Sequence, residues 1–152
     1  MRDWFMEIII EDLKYGDIEE CYNLNKIIFN EEYGLDDVKD LYLKLYKNKN
    51  MYRFLVAKSE RKIVGYTSVT MAYNLFDGKN PFMTLWWVGT HPDYRHRWIG
   101  TKLFEKIEEI ARENNCELIY FTSKSDNVGA HAFYKRLGYD MNAEKAFIKE
   151  LL

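Results

Sequence analysis

The chain has 152 residues, a length that suits one domain burying roughly 70% of the surface its unfolded form exposes. A formal charge of −2 argues against a general nucleic-acid binder, because no strongly basic surplus exists to neutralise phosphates, and leaves room for a local basic patch. Two cysteines far apart, Cys21 and Cys116, form neither a metal-ligand spacing nor a disulfide framework, and read as buried thiols of a reducing compartment.

No apolar run approaches the ~18 residues of a membrane span. Asp3 and Glu7 interrupt the apolar opening, unlike a signal peptide. The expectation is a cytoplasmic protein. Aromatic residues make up 16% of the chain, enough to line a pocket or partner surface as well as a core.

In chain order, residues 5–13 (FMEIIIEDL) read as an opening strand, rich in β-branched residues. A turn at Tyr15-Gly16-Asp17 offers Asp17 as a helix N-cap. Ile18, Cys21, Leu24 and Ile28 then recur at helical spacing to about Phe29. After the loop NEEYGLDD, a second helix runs from near Asp36, with Val38, Leu41, Tyr42, Leu45 and Tyr46 on one face. YRFLVAKS and IVGYTSVTMAY predict a β-hairpin turning around Glu60 to Lys62. A turn-rich link containing Asp77-Gly78 leads to a third strand, FMTLWWVGT, ending at Thr90. Strict alternation would put Trp86 and Trp87 on opposite faces of the sheet.

The stretch HPDYRHRWIG, 91–100, joins that strand to the longest helix, whose apolar stripe is Ile99, Leu103, Ile107, Ile110 and Ala111. CELIYFTS predicts a short buried strand. DNVGAHAFYKRLG predicts a compact helix that starts at Asp126 or Asn127 and stops at Gly138. AFIKELL, 146–152, closes the chain as a final strand. The order β-α-α-β-β-β-α-β-α-β implies a single α/β domain, a mixed sheet flanked by about four helices.

The first turn of a helix leaves about four backbone N–H groups without partners, and the macrodipole adds positive character. A strand, a short loop and a helix start therefore make an anion site, here reinforced by Arg95, His96 and Arg97. From these residues alone, an anion site and a solvated basic turn both remain open. Neither G-x-x-x-x-G-K-[ST] nor G-x-G-x-x-G is present, and no H-E-x-x-H or G-x-S-x-G occurs. His91, His96 and His131 lack metal-ligand spacing, so no metal is expected.

HPDYRHRWIGTKLFEKI resembles the acyl-CoA signature of the GNAT family of N-acetyltransferases: Arg or Gln, two residues, Gly, one residue, Gly or Ala. Arg95 takes the first position and Gly100 the last. DNVGAHAFYKRLGYD is similar to the family's N-x-x-A-x-x-F-Y-x-x-L-G-[FY], matched at Asn127, Ala130, Phe133, Tyr134, Leu137, Gly138 and Tyr139. The resemblance implies the GNAT acyl-CoA N-acyltransferase fold, and acetyl-CoA as co-substrate with an amine acceptor. The net charge and the lack of a long apolar run lead to the expectation of no nucleic acid and no membrane partner, and a homodimer is left open. Val88, Gly89, Thr90, Arg95, His96, Arg97, Trp98, Ile99, Gly100, Thr101 and Asn127 would bind the cofactor. Tyr134 would face the CoA sulfur, Asn127 would bond the pantetheine arm, and a backbone N–H near Val88 would stabilise the oxyanion.

Two departures stand out. The family's internal glycine falls at Trp98, and a position commonly glycine is His96. A tryptophan fits there with negative φ and its ring turned away from the phosphates, so negative φ is the expectation. The strand FMTLWWVGT also lacks an acid that could serve as base; His91, Glu31 and Glu32 are the alternatives. As part of an HP turn, His91 is more often structural. A non-catalytic acyl-CoA-binding or sensing module is the alternative to an N-acetyltransferase.

Overall fold

The structure, a computed structural model, describes residues 7–30 and 33–152. It divides into two compact units, Met1–Tyr120 and Phe121–Leu152. The first holds a five-stranded sheet in the order β1 (Ile8–Asp12), β2 (Tyr52–Ser59), β3 (Lys62–Ala72), β4 (Phe82–Thr90) and β5 (Ile119–Tyr120). Neighbours are antiparallel from β1 to β4, and β5 runs parallel to β4, so the sheet is mixed as expected. Phe5 and Met6, read as the start of β1, lie outside the described residues.

Helices α1 (Ile18–Phe29) and α2 (Leu35–Leu45) cover one face, where Ile18, Cys21 and Leu24 pack with Val56 and Ile63. On α1 the stripe is the one the periodicity marks, with Ile28 at its edge; on α2 Leu35, Val38 and Tyr42 pack against this core, whereas Leu41, expected on the same face, is half exposed. Helix α3 (Ile99–Glu113) covers the other face, with Ile99 and Leu103 on Ala57 and Val64. Gly65 permits that approach: a Cβ there would lie 3.1 Å from Ile99 and 3.3 Å from Leu103. The hairpin turn at Glu60 and Arg61 has positive φ at both residues, the twist that joins antiparallel strands through two residues.

Asp17 does occupy the N-cap of α1, but its carboxylate makes no cap bond. It accepts a 2.9 Å hydrogen bond from Lys58 Nζ, which also pairs with Glu11 at 2.8 Å. A cation within reach outcompetes a neutral backbone donor for the same oxygen. Both hydrogen bonds hold the Lys58 ammonium above its ordinary pKa.

Burial pushes the Cys21 thiol up to about 12, so the thiolate is scarce near neutral pH. Cys116 is only half-buried, contrary to the expectation of two buried thiols. Native protein treated with iodoacetamide at pH 8 should therefore be alkylated first at Cys116; faster labelling of Cys21 in a peptide map would contradict this. Because an unfolded thiol ionises near 9 and the folded one near 12, this group's stability contribution is intact below pH 9. It is lost as pH rises through that window.

The second unit holds α4 (Val128–Arg136). Asn127 is its N-cap, Oδ1 accepting from the Ala130 N–H at 3.3 Å. Gly138, at φ +97°, ends it: its N–H meets Lys135 O at 3.0 Å, and the Tyr139 N–H meets Tyr134 O at 3.1 Å. This pair of bonds is the Schellman termination that a glycine permits.

Two strand expectations are corrected. CELIYFTS contributes only Ile119–Tyr120, because β5 meets β4 only at Met83 and Thr84. AFIKELL forms no strand, and its Phe147 is 97% exposed. The second unit contains no other strand to offer it a ladder, and a strand without a hydrogen-bonded neighbour is not stable on apolar pattern alone.

Candidate active site

Strand β4 carries the first part of the site. Its partner β3 pairs with it along the whole length, whereas β5 leaves it after Thr84. Leu85 to Thr90 therefore keep one edge that no strand covers among the described residues. Such an edge presents backbone N–H and C=O groups to any extended ligand laid beside it.

That edge is broken by a bulge. Ser68 faces Trp86 and Tyr66 faces Gly89, so Thr67 alone opposes Trp87 and Val88. Trp87 sits at φ +64°, in the left-handed region. The bulge also overturns the alternation of the two tryptophans. Trp86 shares the face of Ser68, the α1 side, and Trp87 packs edge-on against Phe29 of α1 at 4.7 Å and Tyr33 at 6.3 Å. Both indoles thus lie on one face, because an extra residue resets the pleat. The Thr67 hydroxyl is fully buried opposite the bulge and has no hydrogen-bond partner among the described residues.

Gly89 lies where α1 presses closest on β4. A Cβ there would stand 2.6 Å from Ile28 Cγ2 and 2.9 Å from Phe29 Cζ. Gly89→Ala should cost about 1–3 kcal/mol in urea unfolding, as overpacking does. A change below about 0.5 kcal/mol would mean the end of α1 yields freely.

Beyond Thr90 comes the candidate diphosphate cradle. His91 Nδ1 accepts the Asp93 N–H at 3.1 Å and opens a single 3-10 turn, Pro92–Tyr94. With Nδ1 accepting, the neutral ring carries its proton on Nε2. The capping bond uses the Nδ1 lone pair that a base would need, which favours the structural reading of His91. Glu31 and Glu32, the other base candidates, lie outside the described residues.

Arg95, His96, Arg97 and Trp98 follow, all exposed. The ring of Tyr94 gathers cations: the Arg97 guanidinium lies 5.3 Å from its centroid and Lys62 Nζ 5.6 Å. Lys62, from the start of β3, is a contributor to this basic patch that the sequence reading missed. Nothing in its local sequence links it to residue 94.

Trp98 is the N-cap of α3 at φ +65°, ψ 10°, and His96 has φ +64°. The expectation of negative φ at Trp98 is therefore overturned. Both positions where the family places glycine keep a glycine-like backbone although they carry bulky side chains. A left-handed backbone strains a bulky residue by about 1–3 kcal/mol. Indole has no acceptor, and the first turn of α3 (Ile99, Gly100, Thr101) receives no side-chain cap. The first helical bond is from the Lys102 N–H to Trp98 O, at 3.0 Å. Uncapped N–H groups at the positive end of a 15-residue helix, preceded in the chain by the exposed Arg95 and Arg97, form a donor set suited to a diphosphate.

The Acetyltransferase (GNAT) family matches this chain over residues 18–139. The chain belongs to the GNAT family of acetyltransferases. It is 27% identical over 154 residues to an uncharacterised N-acetyltransferase of Methanocaldococcus jannaschii, spanning 86% of this chain and 67% of that one. An acetyltransferase of Sodalis glossinidius is 31% identical over 88 residues, 58% of this chain and 57% of that one. A solved structure from Bacillus halodurans, described as a transcriptional regulator, superposes with a TM-score of 0.82 at 25% identity. That superposition covers 95% of this chain and all of the other. The mixed sheet with four helices is the GNAT fold.

The remaining candidate residues of this GNAT protein lie in the second unit. Tyr134 is half-buried on α4, its ring edge-on to Phe121 at 4.8 Å and tilted against Phe133 at 5.6 Å. Burial raises its phenol above the usual pKa, so the hydroxyl stays protonated and can donate. His131 Nε2 lies 2.9 Å from Lys124 O, fastening α4 to the preceding loop. The Asn127 carbonyl oxygen is engaged as the cap, which leaves its amide nitrogen as the group that could donate to a ligand. Among the described residues, no group of three or more His, Cys, Asp or Glu could hold a metal ion. Among the described residues, no helix is long and apolar enough to cross a membrane.

Proposed function

We propose that the protein transfers an acetyl group from acetyl-CoA to a primary amine by direct attack. Both units would act together as one GNAT domain; the family match runs through the two of them. The observation that carries the reading is the combination on β4 and α3: an unpaired strand edge, a bulge at Trp87-Val88, and an uncapped cationic helix start immediately after it. A ligand with an extended amide arm and a diphosphate fits that succession of groups.

Acetyl-CoA supplies the activated acetyl thioester. Arg95, Arg97 and the N–H groups of Ile99, Gly100 and Thr101 hold its diphosphate, and His96 and Trp98 line the same loop. Gly89 and Thr90 offer backbone groups to the arm, which the Asn127 amide nitrogen also contacts. The bulge frees backbone donors around Val88 to meet negative charge developing on the thioester oxygen. Tyr134 donates a hydrogen bond to the departing sulfur.

Full proton transfer from Tyr134 is not required. An ordinary phenol is about 1.5 units less acidic than a thiol, and burial widens that gap. Solvent completes the protonation. The acceptor amine, protonated at neutral pH when unperturbed, loses its proton through a water chain or an acid of the loop after α1.

A panel of primary amines, including alkyl diamines, lysine analogues and aminoglycosides, with thiol release followed by disulfide exchange, tests the reading. Amine-dependent release of CoA well above the hydrolytic background is the expected result. Acetyl-CoA binding without release by any amine would leave a non-catalytic acyl-CoA module in its place.

A further inference from the structure

Trp98 remains unexplained by the diphosphate cradle. Its backbone adopts a conformation suited to glycine, and its ring is 75% exposed. Among the described residues the indole contacts no other ring and no cation. A bulky residue kept in a strained, solvated position directs attention to what its side chain meets when a ligand is bound.

We infer that the Trp98 indole is the platform on which the adenine of bound coenzyme A stacks, an inference that rests on the acetyl-CoA reading. The unpaired edge of β4 runs toward Thr90 and ends at the cradle. A ligand laid along that edge brings its diphosphate to the first turn of α3, so the rest of the nucleotide continues outward, past the strand end. Trp98 stands there, between Arg97 and Ile99, with a free aromatic face. The groups that hold the arm and the diphosphate are N–H donors and cations that amide and phosphate oxygens would occupy. The indole adds an aromatic face on which a flat heterocycle stacks with no particular hydrogen-bond pattern. The ring thus replaces contact at a position where glycine would give only backbone.

Calorimetric titration with two ligands separates this from a general disturbance of the loop. Coenzyme A carries the base; pantetheine 4′-diphosphate has the same arm and both phosphates and no nucleoside. Trp98→Ala should weaken coenzyme A binding about tenfold or more, while affinity for pantetheine 4′-diphosphate changes less than twofold. Trp98→Phe should restore most of the loss. Trp98→Gly, which suits the left-handed backbone, should show the same selective loss in a chain that folds at least as well. Equal losses for both ligands, or no loss for either, would overturn the platform. If the wild-type protein binds neither ligand, the acetyl-CoA reading falls and the platform with it. If wild type and all variants bind coenzyme A alike, only the platform falls.

Discussion

Tyr134→Phe is expected to lower kcat about a hundredfold and to leave the affinity for CoA within twofold of wild type. The substitution keeps the ring, hence the edge contact with Phe121 and the packing beside Phe133, and removes only the hydroxyl. Proton transfer or hydrogen bonding to a reacting group is typically worth 10²–10⁴ in rate. The low end applies because in the proposed mechanism the phenol, held protonated by burial, would donate without giving up its proton. The raised pKa also has a sign for the pH profile. Tyr134 stays protonated up to and beyond its ordinary pKa of about 10, so it should add no falling limb to kcat between pH 7 and 9. Thiol release in single-turnover and steady-state assays checks both statements. Equal turnover in the two proteins would remove Tyr134 from the mechanism.

Leu103→Ala should destabilise the protein by about 2–5 kcal/mol, the range for truncating a buried leucine. Leu103 is fully buried, one turn into α3, against Ile99, Ala57 and Val64. Its side chain is what anchors the first turn of the helix, and so the cradle, to the sheet. At about 2–4 °C per kcal/mol for a chain of this size, the midpoint should fall by roughly 4–20 °C. Leu41→Ala on α2, whose side chain is half exposed, should change stability by about 0.5 kcal/mol or less. Similar losses for the two variants would mean that α3 is not held by this contact.

Much of the fold could be read before any coordinates because local pattern and tertiary burial agree. The stripe Ile99, Leu103, Ile107, Ile110 is the buried face of α3, and Gly138 stops α4 with positive φ as its position implied. The failures have a common origin in contacts distant in sequence. The bulge at Trp87 exists only as a mismatch in register with β3, and FMTLWWVGT read alone gives plain alternation. Asp17 looked like a cap until Lys58, 41 residues away, came within reach. The left-handed turn at Trp98 is set by the strand-to-helix geometry, which overrides the preference of the residue placed there. AFIKELL carries strand-like composition, but a strand also needs an edge to pair with. The family signature marked 95–101 as the candidate anion site, whereas Lys62 beside Tyr94 and the Phe29–Tyr33–Trp87 cluster had no signal in the sequence. Those two groupings depend on which loops the fold brings together.

The measurement that bears most directly on the whole account is calorimetric titration of acetyl-CoA into the protein, with CoA as comparison. The account predicts micromolar binding of both, carried by the uncapped start of α3 and the cations around it. No heat of binding with ligand at millimolar concentration would mean that the left-handed tryptophan closes the cradle, and would contradict it.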